Sequence, residues 1–311
     1  MKILLVLLFA PLIALALLYF IFPGRLVAFG RWLLRKRGGM VQKSVTVDGR
    51  TWPYLEGGDP AKPLLLLVHG FAGDKDNWSM IAPYLTRDYH VVAPDLPGFG
   101  ENERNPALAY DVAAQTARLK GFADALGLDR PHVAGNSMGG WIALRYALDY
   151  PDALASLILL DNAGVKGAND SDLEKQAANE DYNPLVIANL EDADRLVAMV
   201  VHKPPFIPSR LKPALYGDAL KYRDQLDGIF WVIATEMRDH PLNDRLGEVR
   251  VPTLILWGRH DRLIDVSCVP VLEAGIAGST AHIMEHVGHV PMVEDPKGTA
   301  AILKGFLAKL P

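Results

Sequence analysis

The chain of 311 residues holds a single cysteine, Cys268. No internal disulfide can form, and a cysteine-rich zinc cluster is excluded. There is no excess of positive charge. Lys and Arg number 32 against 36 Asp and Glu, a net of −4, which argues against a nucleic-acid partner. No internal repeat and no low-complexity tract is found, and no His-Glu-x-x-His pattern, so a helical zinc site is not expected. No metal and no cofactor is expected. Half of the residues are apolar. At this length the composition suits one catalytic domain carrying an insertion.

What is present starts with G-N-S-M-G-G at Gly135 to Gly140, directly after the apolar run His132-Val133-Ala134. This is the pattern of a nucleophile elbow with Ser137 at its apex. A serine on a tight strand-to-helix turn needs small neighbours two residues away, and Gly135 and Gly139 meet that demand. The predicted helix from about Met138 to Tyr150 points its positive end at a developing oxyanion, and Pro151 stops it.

A serine hydroxyl is a weak nucleophile and needs a histidine base oriented by an acid. Val251 to Gly258 reads as a buried strand running into Arg259-His260-Asp261. Ala281 to Met284 reads as another strand, leading to Glu285-His286-Val287-Gly288-His289. Sites in open α/β sheets lie at strand C-termini, so Ser137, Asp261 and His289 are expected to converge there. Asp161, after the strand Leu157 to Leu160, is a rival acid, and His286 is a rival base. The strand Leu64 to Val68 breaks into His69-Gly70-Phe71-Ala72-Gly73. That loop and the elbow would offer two backbone N–H donors to an oxyanion, from Phe71 and Met138. His69 is expected to bond loop carbonyls and play a structural part.

Taken together, H-G-F-A-G-D-K-D-N-W (His69 to Trp78), D-L-P-G-F-G (Asp95 to Gly100), the elbow, G-R-H-D (Gly258 to Asp261) and G-H-V-P-M (Gly288 to Met292) resemble the lipase and esterase branch of the α/β-hydrolase superfamily. With its N-terminal segment the chain is similar to membrane-anchored bacterial lipases and phospholipases A, and to membrane-bound monoacylglycerol lipases. The resemblance runs from about Val45 to the C-terminus, apart from the region near 166–240. It implies an α/β-hydrolase fold with a mostly parallel eight-stranded sheet, a helical cap insertion and an N-terminal transmembrane and juxtamembrane helix. It also implies a carboxylic-ester hydrolase acting through a Ser-His-Asp triad. The elbow is similar, too, to that of carbon–carbon bond hydrolases of ring-fission products, whose oxyanion loop differs from His69 to Gly73. Dehalogenases and epoxide hydrolases need Asp where Ser137 stands. A tethered, non-catalytic lipid-binding protein is a further alternative, against which the ordered Ser, Asp and His argue.

Ile3 to Phe22 is a stretch of uncharged residues long enough to span a bilayer core as a helix, which points to an uncleaved anchor over residues 1–24. A signal peptide is the rival reading, but the apolar run exceeds the usual length of its hydrophobic region. Residues 25–42 read as a basic amphipathic juxtamembrane helix with Trp32 at interfacial height and cations facing anionic head groups. The core is expected at 43–164 and 247–311, and a helical cap at 165–246, Pro-rich at Pro204, Pro205, Pro208 and Pro213. Trp78, Met199, Phe206, Phe230 and Trp231 are candidates to line a substrate pocket. Membrane lipids are the expected partners: phospholipid, lysophospholipid and monoacylglycerol, with fatty acid as product. A homodimer through the span or the basic helix is compatible with the sequence. The cations after the span favour a cytoplasmic catalytic domain, whereas the resemblance to anchored bacterial lipases favours the periplasm of an inner-membrane protein, and the side stays open.

Overall fold

The computed structural model describes residue 16 and residues 18–178 and 183–310. The apolar run Ile3 to Phe22 lies largely outside these residues. Among the described residues no helix is long and apolar enough to cross a membrane.

An eight-stranded sheet organises the chain, in the order β1-β2-β4-β3-β5-β6-β7-β8. The strands are β1 (Met40–Val47), β2 (Arg50–Gly57), β3 (Leu64–Val68), β4 (His90–Pro94), β5 (His132–Asn136), β6 (Ser156–Leu160), β7 (Thr253–Gly258) and β8 (Thr280–Met284). β1 and β2 form a hairpin whose turn, Asp48-Gly49, has positive φ at both residues (49° and 76°), as the twist of a two-residue hairpin requires. β2 also runs antiparallel to β4, and every other pairing is parallel.

The central strands are apolar throughout because both of their faces are covered. In β3, Leu66 and Val68 enter one core layer while Leu65 and Leu67 enter the other. In β6, Leu157 and Leu159 alternate in the same way with Ile158 and Leu160. Among the described residues after residue 22, the α-helices in chain order are α1 (Pro23–Arg37), α2 (Ala82–Leu85), α3 (Val112–Ala125), α4 (Met138–Asp149), α5 (Asp172–Ala177), α6 (Leu190–Val200), α7 (Lys212–Lys221), α8 (Arg223–Asp239), α9 (Cys268–Gly275), α10 (Pro291–Glu294) and α11 (Pro296–Leu307). α3, α4 and α9 cover one face, contributing Leu119, Phe122, Trp141 and Leu272. α2 and α11 cover the other with Ala82, Leu85, Leu303 and Phe306.

Helices α5 to α8 all fall between β6 and β7. Asn189 caps α6 by accepting the N–H groups of Glu191 and Asp192. The prolines between α6 and α7 keep that connection out of helix.

The helix expected over 25–42 runs instead over Pro23–Arg37. Gly39 takes φ +63°, a value that favours glycine, and turns the chain into β1 at Met40. The cations of α1 are not all turned toward a lipid surface. Arg31 donates to Asp74 at 3.1 Å, and Arg35 pairs with Asp76. Lys36 lies over the Trp32 ring, 5.0 Å from its centroid.

Candidate active site

Ser137 stands between the end of β5 and the start of α4, at φ 57° and ψ −123°, a backbone conformation that residues with side chains rarely adopt. Surrounding hydrogen bonds hold it there. Its N–H donates to Leu160 O at 3.1 Å, and its carbonyl accepts the N–H of Ala163 at 3.0 Å and of Trp141 at 3.1 Å. The flanking glycines are a steric necessity. A Cβ on Gly135 would lie 2.1 Å from the Gly139 carbonyl oxygen, and one on Gly139 would lie 2.3 Å from that of Val68. A Cβ on Gly70 would come within 3.0 Å of Ser137 Cβ, so the loop after β3 closes tightly on the elbow.

Asp261 follows β7 and is buried. Its Oδ1 accepts the N–H groups of Leu263 and Ile264 at 2.8 and 3.0 Å, and its Oδ2 lies 2.7 Å from His289 Nδ1. That contact places the imidazole proton on Nδ1 and leaves Nε2 as the basic nitrogen. The loop carrying His289 is tied down on several sides. The His289 N–H donates to Val200 O at 2.8 Å, and its carbonyl accepts Asn136 Nδ2 at 2.9 Å. Glu294 Oε1 accepts the Gly288 N–H at 2.9 Å, and Oε2 accepts the His202 N–H at 2.8 Å. Neither Glu294 nor the tie made by Asn136 is visible in the sequence, since each joins segments distant along the chain. The rival base His286 is exposed, and it is His289 that meets Asp261.

His69 is fully buried, with Nδ1 at 2.8 Å from Gly70 O and Nε2 accepting the Leu96 N–H at 3.0 Å. Burial lowers its pKa, so it stays neutral and bridges two loops. Beneath that loop lies a buried ion pair, Lys75 Nζ with Asp95 Oδ2 at 2.8 Å. Asp95 also accepts the N–H groups of Lys75 and Glu101.

Two cavities meet at Ser137 and Phe71. One, of about 640 Å³, also reaches His289, cap residues such as Leu196 and Val200, and Val27 and Arg31 of α1. The other, of about 400 Å³, is lined by Met138, Trp141, Leu263 and the cap residues Phe230 and Trp231. The Phe71 ring packs edge-on against Phe99 and Phe230. Three other pocket candidates lie elsewhere. Trp78 is fully buried in the layer beneath the sheet with Ile81 and Leu85. Met199 is 2% exposed and lines neither cavity, because its helix turns Leu196 and Val200 to the first cavity instead. Phe206 is 91% exposed in the Pro-rich connection.

Asp161, Asp261 and His289 bring potential metal-ligand atoms within 4.8 Å of one another. Both oxygens of Asp261 and the Nδ1 of His289 are already engaged in hydrogen bonds within the protein, an arrangement suited to proton transfer at His289.

A family model described as the alpha/beta hydrolase fold matches residues 63–198. Lipase 1 of Psychrobacter immobilis is 37% identical over 275 residues, covering 88% of this chain and 86% of its own. Monoacylglycerol lipase abhd6-B of Xenopus laevis is 29% identical, covering 97% of this chain and 93% of its own. Among solved structures, a membrane phospholipase A described as a bacterial virulence factor superposes with a TM-score of 0.89 at 41% identity, covering 100% of this chain and 99% of that one. A meta-cleavage product hydrolase from Pseudomonas fluorescens IP01, at 22% identity and a TM-score of 0.74, shares the fold alone. With the sheet order, the elbow at Ser137 and these likenesses in view, the chain belongs to the α/β-hydrolase family.

Proposed function

We propose that this carboxylic-ester hydrolase cleaves acyl esters of membrane glycerolipids, with Ser137, His289 and Asp261 as its catalytic triad. The observation that carries the reading is the buried 2.7 Å contact of His289 Nδ1 with Asp261, in a chain whose Ser137 stands on the strained elbow beside the same cavity. Ser137 Oγ attacks the ester carbonyl while His289 Nε2 takes its proton. Asp261 keeps the imidazole oriented and stabilises its protonated form. The backbone N–H groups of Phe71 and Met138 receive the oxyanion, each contributing about 3 kcal/mol to the transition state. Collapse of the tetrahedral intermediate expels the alcohol, which His289 protonates. Water, deprotonated by the same nitrogen, then releases the fatty acid.

Several observations support a lipid substrate. The cavity of about 400 Å³ has a largely apolar lining. The relatives carry the names lipase and monoacylglycerol lipase, and a structural neighbour is a membrane phospholipase A. The uncharged run Ile3 to Phe22, followed directly by α1, suits an anchor that keeps the cavities near the lipid surface.

A fluorophosphonate probe and vesicles containing phospholipid, lysophospholipid and monoacylglycerol test the reading together. Wild type is expected to label and to release fatty acid from at least one of these lipids. Ser137→Ala is expected to do neither, with hydrolysis reduced by about 10⁴-fold or more. Equal labelling of both proteins rejects Ser137 as nucleophile, and labelling without release from any of the lipids rejects the substrate class.

A further inference from the structure

Asp161 directly follows β6, beside the end of β7, the strand that leads to Asp261. Its side chain is fully buried and its backbone takes φ +45°. Oδ1 accepts the Gly258 N–H at 2.8 Å, whereas Oδ2 is buried without a hydrogen-bond partner. A carboxyl oxygen of Asp161, one of Asp261 and a ring nitrogen of His289 lie within 4.8 Å of one another.

An orphaned carboxylate oxygen in a dry site is costly, and two carboxylates facing one imidazole cannot both stay ionised cheaply. While His289 waits as a neutral base, there is no cation between them. Among the charged groups that bear on Asp161 are Asp261 and Glu294, both acidic. Glu294 already spends its oxygens on the N–H groups of Gly288 and His202. Asp261 shows the complementary vacancy. An ionised carboxylate offers about four acceptor sites. The N–H groups of Leu263 and Ile264 and the Nδ1–H of His289 fill three of them.

We propose that Asp161 is a positioning residue that stays protonated during catalysis and donates its O–H to Asp261, filling that fourth site. The inference rests on the triad reading given above. One proton then settles both irregularities: the orphaned oxygen of Asp161 gains a partner, and the two buried carboxyls carry one negative charge between them. Burial and the neighbouring charge of Asp261 push the Asp161 carboxyl well above the ordinary range, in the same direction. Functionally, the shared hydrogen bond holds the Asp261 carboxylate in place and draws off part of its charge. His289 is thereby protonated less readily in the resting enzyme, which keeps Nε2 available as a base.

The test is the pH profile of kcat/KM on a soluble p-nitrophenyl ester, whose acidic limb reports protonation of the catalytic histidine. Asp161→Asn presents an acceptor to Gly258 and a donor to Asp261, so it is expected to leave the limb in place and activity within about threefold of wild type. Asp161→Ala is expected to lose roughly 10- to 100-fold, the worth of one hydrogen bond to a charged group. Its acidic limb is expected to move to higher pH by about half a unit to one unit, because Asp261 then faces the imidazolium with its full charge. A limb that moves to lower pH in both variants means that Asp161 is ionised, and overturns the proposal. Equal losses in both variants with an unmoved limb reduce Asp161 to a structural part, and also overturn it. Failure of the triad reading looks different: Asp261→Asn would stay active while Asp161→Asn would not. Should Asp161→Ala not fold, infrared difference spectra of wild type against Asp161→Asn decide the matter. A protonated-carboxyl band present only in wild type is expected, and its absence there overturns the proposal.

Discussion

Arg35 Nε donates to Asp76 Oδ1 at 2.6 Å, joining the helix that follows the N-terminal apolar run to the loop after β3. Arg31 adds a second link to Asp74 in the same loop. That loop begins with His69-Gly70-Phe71, so α1 steadies the backbone from which Phe71 is proposed to donate to the oxyanion. Both partners of the main pair are mostly shielded, Arg35 being 18% and Asp76 9% exposed at the side chain. Burial by itself would raise the Asp76 carboxyl. The hydrogen bond and charge of Arg35 outweigh it and hold the carboxyl below its ordinary value.

Arg35→Ala removes the main partner of the Asp76 charge, leaving it Arg31 at 3.7 Å and the Ser79 hydroxyl, and is expected to cost about 1–3 kcal/mol at pH 7. Arg35→Lys recovers part of this only, because an ammonium cannot reproduce the two-pronged guanidinium contact. The sign of the pH effect follows from a depressed carboxyl. Its stabilisation is complete above the unfolded-state value of about 4 and fades as pH falls through the lower folded-state value. Urea unfolding at pH 7 and at pH 3 checks both statements, and the gap between wild type and Arg35→Ala is expected to narrow at the lower pH.

Gly139→Ala places a methyl group against the Val68 and His69 carbonyls, at 2.3 and 2.4 Å from their oxygens. These are backbone atoms of a fully buried strand end and cannot swing aside. Destabilisation above about 3 kcal/mol is expected, or failure to fold. By contrast Gly228, in α8, has nothing within 4 Å of an added Cβ, and Gly228→Ala is expected to be neutral or stabilising by up to about 1 kcal/mol. Thermal unfolding of the two variants beside wild type measures the contrast.

Ala234 lies on α8 and lines the cavity of about 400 Å³ together with Phe230 and Trp231. Ala234→Trp fills space that an acyl chain would occupy. Activity on long-chain p-nitrophenyl esters is expected to fall by about tenfold or more relative to the butyrate ester. A parallel fall for both esters would show that the chain does not enter this cavity.

Cys268 is buried at the start of α9, with Sγ 3.4 Å from Val165 O, and burial pushes its thiol up to about 12. At pH 8 the thiolate fraction is then on the order of 10⁻⁴. Iodoacetamide is expected to leave the native protein unmodified and to alkylate it fully in urea, as read by mass spectrometry. Modification of the native protein at the rate of a free thiol contradicts that burial.

Local features of the chain were readable from sequence wherever short-range sterics or a continuous apolar run decided them. The elbow needs only a strand end, a serine and small residues on each side, all within Gly135 to Gly140. β3, β6 and β7 announce themselves because covered strands are apolar at every position. β2 is harder to read, since Pro53 interrupts it and its apolar residues do not simply alternate. The candidate pocket residues divided for a similar reason. Phe230 and Trp231 reach a cavity, while Trp78, Met199 and Phe206 do not, since hydrophobicity says that a side chain tends to be buried but not against what.

By itself the sequence marked the nucleophile candidate and its candidate partners: a serine on a glycine-flanked turn, with an acid and a histidine following in order at the ends of apolar strands. Those are constraints on neighbouring atoms of one short segment, and they can be read along the chain. Only the tertiary structure decided which aspartate meets His289. Asp161 and Asp261 both follow apolar strands, and the parallel pairing of β6 with β7 sets them side by side. The contact went to Asp261 because its turn directs Oδ2 to the histidine while Oδ1 is held by Leu263 and Ile264. Asp161 Oδ1 is taken by the Gly258 N–H. A hydrogen bond spans about 3 Å in space whatever the separation along the chain, so its partner is chosen by strand order and loop path, which no local pattern of residues specifies.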